Sequence, residues 1–100
     1  MYSHLWVPDN NNCLVKLEEH LKFICQEGKR VTLIIYVDKH FNPLNINILN
    51  LLFLLERYRT EVRKHLVKTM FYIEHRSIFD YIQSFLKLVK PEQPIEFFNY

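Results

Sequence analysis

The first regularity in the chain is an alternation. Tyr2, His4 and Trp6 fall on one side of Tyr2–Val7, and Ser3, Leu5 and Val7 on the other, before Pro8-Asp9-Asn10 stops the pattern. Period-two spacing predicts a strand, placed near a sheet edge because one of its faces carries His4 and Tyr2. Asn10, Asn11 and Asn12 are three successive N-cap candidates for the next element. Leu14, Leu17, Leu21, Ile24 and Cys25 then recur at helical spacing, with Glu18, Glu19, Lys22 and Gln26 opposite them. This predicts a one-faced amphipathic helix over 12–27, ended by Gly28.

Val31–Val37 is β-branched and apolar at nearly every position and ends at Asp38. Such a run predicts a central strand covered on both faces. After the corner Asp38–Asn42, Asn42 caps and Pro43 suits the first helical position. The helix over 43–58 carries Leu44, Ile48, Leu51, Leu52 and Leu55 on one face, continued by Tyr58, Val62 and Leu66. Ile46, Leu49 and Phe53 lie on another. A helix apolar most of the way round is either deeply buried or meets a partner. In a domain of 100 residues deep burial on all sides is difficult, so Ile46, Leu49 and Phe53 are interface candidates.

Lys68–His75 reads as a third strand. Ser77 caps a helix with Asp80 three residues on, and Ile78, Phe79, Ile82, Phe85, Leu86 and Val89 form its inner stripe as far as Lys90-Pro91. Pro94–Tyr100 closes as an edge strand. The order β-α-β-α-β-α-β predicts one α/β domain over 1–100, with a four-stranded, mostly parallel sheet flanked by three helices.

Composition adds little to that picture. The net charge of +2 neither demands nor excludes an anionic partner. Alanine is absent, Gly28 is the one glycine, and residues of A/T-rich codons are abundant. That bias points to an A/T-rich genome, such as that of a large DNA virus, a protist or a low-GC bacterium. Cys13 and Cys25 lie twelve residues apart on one predicted helix, about 18 Å of rise. A disulfide does not span that distance. No apolar run is long enough for a membrane span, and no leader-like segment opens the chain. A reducing, cytoplasmic setting is the expectation.

Three groups of residues are candidates for chemistry. In open α/β sheets the ligand crevice lies beyond the carboxyl ends of the strands. Asp9, Asp38, His40, Glu74 and His75 fall there, and the Asp38/His40 and Glu74/His75 pairs suit a general base or metal ligands. No metal-binding spacing supports the latter, and no cofactor or metal is expected. Cys13 sits in the first turn of a helix, where a thiol is activated, but no glycine or arginine accompanies it to hold a phosphate. Arg57, Arg59, Arg63, Lys64 and Lys68, with Tyr58 and His65, form a basic segment suited to nucleic-acid or lipid phosphates. Asn45, Asn47 and Asn50 interrupt the second helix as a polar stripe, or fix register between subunits.

The succession VTLIIYVD, PLNINILNLLFLLERY, KTMFYIEH, SIFDYIQSFLKLV and PIEFF resembles two families of small α/β domain. One is the STAS anti-sigma-antagonist domain and the other is the lipid-binding core of CRAL-TRIO domains. The resemblance implies the β-α-β-α-β architecture of residues 31–98. STAS regulators carry a phosphorylated serine near the start of the helix after the Asp-ending strand. Here that stretch is His40-Phe41-Asn42-Pro43-Leu44-Asn45, with no serine or threonine.

With no strong catalytic motif, the sequence leads to a non-enzymatic interaction or regulatory module that self-associates through helix 43–58. Its partner is a second copy or another protein. The alternatives are phosphate-ligand binding through 57–68 and a small enzyme at the strand-end crevice.

Overall fold

A computed structural model describes residues 1–89 and 93–100 of the chain. The elements are β1 (Tyr2–Val7), α1 (Cys13–Glu27), β2 (Val31–Val37), a 3-10 turn (Pro43–Asn45), α2 (Ile48–Arg57), α3 (Arg59–His65), β3 (Leu66–Ile73), α4 (Arg76–Val89) and β4 (Ile95–Asn99). The helix stop expected at Lys90-Pro91 lies outside the described residues. All four strands are parallel and stand in the order β1-β2-β3-β4. The chain is therefore a small α/β domain, with β1 and β4 at the edges as their sequences predict.

Sequential order has a geometric consequence. Right-handed crossovers that always step in the same direction leave every helix on the same face of the sheet. The core obeys this. Leu5, Val7, Leu33, Ile35, Val37 and Ile73 pack beneath Ile24 of α1 and Ile78 of α4, with Phe71 and Phe97 partly buried beside them. Among the described residues no helix lies over the opposite face. This corrects the expectation that Val31–Val37 is covered on both sides. Thr32 and Ile34 point to the open face and are still buried, because they stand between the side chains of β1 and β3.

Registered pairing brings Trp6, Tyr36, Tyr72 and Phe98 into one row across the open face. The Tyr36 and Tyr72 rings stack at 5.3 Å, Tyr72 and Phe98 at 4.8 Å, and His4 lies 6.0 Å from Tyr36, all close to parallel. Lys68 and Glu96 also rise on this face and pair with each other at 3.1 Å.

Local chemistry accounts for most element boundaries. Gly28 ends α1 at φ 66°, a left-handed value that glycine adopts without strain. Asn12 precedes α1 at φ 55° but makes no side-chain cap. Of the three asparagines, Asn10 has the larger role: its amide donates to the Asn42 carbonyl and accepts from the Asn42 N–H, both at 2.7 Å. It ties the loop after β1 to the loop after β2. Each such bond contributes roughly 0.5–1.5 kcal/mol net. Asn10→Ala is therefore expected to lower stability by about 1–2 kcal/mol, read as a shifted urea midpoint with an unchanged slope.

The single helix expected over 43–58 is divided. Asn42 accepts from the Leu44 N–H and, with Pro43, starts only the 3-10 turn. Asn47 then accepts from the Asn50 N–H at 3.1 Å and caps α2. Leu66, expected on a helix face, opens β3 instead. α4 begins at Arg76, one residue before the expected cap Ser77, and the His75 ring accepts from the Ser77 N–H at 3.3 Å. Asp80 pairs with Arg76.

At the free edge of β1 the His20 ring reaches up from α1. Its Nε2 lies 2.8 Å from the His4 carbonyl and its Nδ1 3.3 Å from the Lys16 carbonyl. A carbonyl that faces outward from the sheet is thus covered, which blunts strand addition at this edge.

Candidate functional site

The residues with most apolar surface to spare surround α2. Of its ten residues only Leu54 is buried, at 5% exposure. Leu49 and Phe53 are 65% and 67% exposed, and Leu44, Ile48 and Leu52 are exposed as well. Two of the three interface candidates are therefore on the surface. The third, Ile46, is partly buried against the core. The apolar face read over Leu44, Ile48, Leu51, Leu52 and Leu55 is split: Leu51 and Leu55 are half-buried, Leu44, Ile48 and Leu52 are exposed, and Leu54, on neither of the two apolar faces of the sequence, is the anchor.

The reason is how the β2–β3 crossover runs. α2 and α3 lean on α1, and Arg57 reaches Glu18 of α1 at 3.5 Å. Between α2 and α4 this leaves an apolar groove of about 550 Å³, floored by Leu33, Ile35 and Phe71 and walled by Leu51, Leu55 and Phe85. From Pro43 to Leu55 the chain carries no charged residue. Exposed helix surface is ordinarily charged, so this stretch departs from what water contact alone selects.

The strand-end candidates converge only in the sense that parallel, adjacent strands place them along one rim of the sheet. Their polar atoms serve their own turns. Asp9 accepts from the Asn11 N–H at 2.8 Å, Asp38 from the His40 N–H at 3.3 Å, and His75 from Ser77. Glu74 and His40 are exposed. Among the described residues no group of three or more His, Cys, Asp or Glu side chains is placed to hold a metal ion.

The basic segment is divided among three elements. Arg57 pairs with Glu18, and Arg59 with Glu56 at 3.6 Å. Arg63 offers its carbonyl to Gln93 on the way to β4, and Lys64 is exposed on α3. Lys68 belongs to β3 and joins Glu96 on the open sheet face. Lys68 thus stands on a different element from the helical cations Arg57, Arg59, Arg63 and Lys64.

Cys13 and Cys25 are both free and half-buried. Burial, with a smaller push from the Glu61 carboxylate, raises the Cys25 thiol above its ordinary value. Cys25 is expected to alkylate with iodoacetamide more slowly at pH 8 than a free thiol does, which residue-resolved mass spectrometry measures. The sign for stability follows. The folded thiol resists ionisation more than the unfolded one, so its contribution is complete below the unfolded value and is lost as the pH rises past the folded one.

Trp6, Tyr36, Tyr72 and Phe98 were not singled out by sequence as a surface. The alternation in β1 exposes Trp6, but only strand pairing aligns the four rings.

Fold and surface together define a one-sided parallel α/β domain with two apolar surfaces, the α2 helix and the open sheet face. The chain matches no family model, no curated protein and no solved structure. The resemblance to STAS and CRAL-TRIO domains therefore assigns no residue a role. Among the described residues no helix is long and apolar enough to cross a membrane.

Proposed function

We propose that the chain is a non-enzymatic protein-interaction module that self-associates through α2. The observation that supports this is the surface of that helix: it buries one leucine and leaves Ile48, Leu49, Leu52 and Phe53 exposed, with Leu44 of the preceding turn, beside an open apolar groove. A contiguous apolar surface on a soluble fold is ordinarily a contact site. The charge-free run from Pro43 to Leu55 means that covering it strands no ion.

Size-exclusion chromatography with light scattering across the micromolar to millimolar range tests the proposal. The wild-type chain is expected to exceed its 12.3-kDa mass as concentration rises. Leu49→Glu with Phe53→Lys adds an i,i+4 ion pair at two exposed positions and is expected to stay at the chain mass with an unchanged circular dichroism spectrum. A wild-type chain that remains monomeric throughout, or a folded double variant that associates equally well, overturns it.

A further inference from the structure

We infer that the exposed face of α2 in one copy docks on the open aromatic face of the sheet in the next copy. This rests on the reading of α2 as a self-association surface, and names what it contacts.

The argument begins with the sheet. Parallel sheets occur almost only with both faces covered, normally by helices. Here one face carries the described helices, and the other carries Trp6, Tyr36, Tyr72 and Phe98 in a row with Trp6 61% exposed. Tyr36, Tyr72 and Phe98 stack in series, with His4 against Tyr36. Both faces of Tyr36 and of Tyr72 are thus occupied by neighbouring rings. A nucleobase or a sugar needs a free ring face, which the middle of the row does not offer, so the row suits side-chain packing instead. Its charge points the same way. Lys68 is paired with Glu96 at 3.1 Å, so it does not stand as a lone cation for an anionic ligand.

The chain thus has one sheet face without a helix and one apolar helix face without a sheet. They match in size. α2, ten residues long, extends about 15 Å, and four strands span about 14 Å between the outer axes. They match in charge: α2 is uncharged from Ile48 to Leu55, and on the sheet face Lys68 is paired with Glu96. A helix of this length on such a face buries on the order of 1,000 Å² in total, at the low end of specific interfaces. Association is therefore reversible and weak.

Helix-on-sheet contact joins two different surfaces, so it is heterologous. Each added copy brings a fresh α2 and a fresh sheet face, and assembly continues to a ring or an open chain. Pairing of α2 with α2 would stop at a dimer.

Complementing variants provide the test. Trp6→Lys with Phe98→Glu damages only the sheet face, and Leu49→Glu with Phe53→Lys damages only the helix. Each variant alone is expected to run at the 12.3-kDa chain mass. Their equimolar mixture is expected to form a one-to-one complex of twice that mass that grows no further, while the wild type grows past the dimer. If the folded sheet variant associates like the wild type, the inference fails and self-association through α2 survives. If the helix variant associates, both fail. A mixture of folded variants that forms no complex overturns the inference alone. A second readout needs no change to the sheet. Trp6 is the single tryptophan, and its emission is expected to shift to shorter wavelength as the wild-type mass rises, and not in the helix variant. A rising mass with an unshifted emission overturns the inference.

Discussion

Ile73→Ala is expected to destabilise the domain by about 2–5 kcal/mol, the largest effect of any single truncation proposed here. Ile73 is fully buried at 0% exposure. It stands on β3 level with Val37 of β2 and belongs to the same cluster as Ile78 of α4. Truncation removes methyl groups from a site walled on one side by a hydrogen-bonded sheet, which cannot close over the void. The penalty therefore includes a cavity contribution beyond the lost transfer free energy. Small domains have about 5–15 kcal/mol in total, so a substantial share of the stability is at stake. Thermal unfolding is expected to fall by 10 °C or more, at roughly 4–8 °C per kcal/mol. Leu49→Ala on the outer face of α2 is the control and is expected to stay within about 0.5 kcal/mol. A loss at Ile73 no greater than at Leu49 would contradict the placement of the core.

Leu54→Ala is expected to act locally rather than globally. Isolated helices shorter than about 12–15 residues are marginal in water, and α2 has ten. Its helical state therefore depends on tertiary anchoring, and Leu54 is its one buried residue. Truncation is expected to cost about 2–3 kcal/mol and to appear as faster amide hydrogen exchange across 48–57. The strands 31–37 and 66–73 keep their protection, because they belong to a different opening unit. Self-association falls with it, since the contact surface is the helix that frays. Unchanged exchange over 48–57 would show that something other than Leu54 holds α2.

Much of the architecture was legible because periodicity speaks directly to it. The alternation in Tyr2–Val7 and the stripe in 12–27 each have one apolar face, so each names its own orientation. The helix after Pro43 does not. Nearly every position from Leu44 to Leu55 is apolar or asparagine, and with no polar contrast the period cannot say which face turns inward. Leu54 was missed for that reason. The strand-end rim was legible as polarity, but not its chemistry. Asp9, Asp38 and His75 bind backbone N–H groups two residues away, a local role that the same residue types fill in any turn. The run Arg57–Lys68 reads as one segment in sequence because the break at Tyr58 and the helix-to-strand change at Leu66 are not visible in it. The open sheet face depends on strand order, which is a long-range property. A continuous apolar run such as Val31–Val37 is consistent with one covered face or two.

Strand order also bears on how the domain is made. In β1-β2-β3-β4 each strand pairs with the one that leaves the ribosome just before it. No early segment must wait for a late one to fill a gap in the sheet, as it would if a later strand inserted between β1 and β2. Each completed crossover offers the next strand a finished edge, so the fold can grow by accretion from its N-terminal end during translation, at the roughly 5–20 residues per second of synthesis.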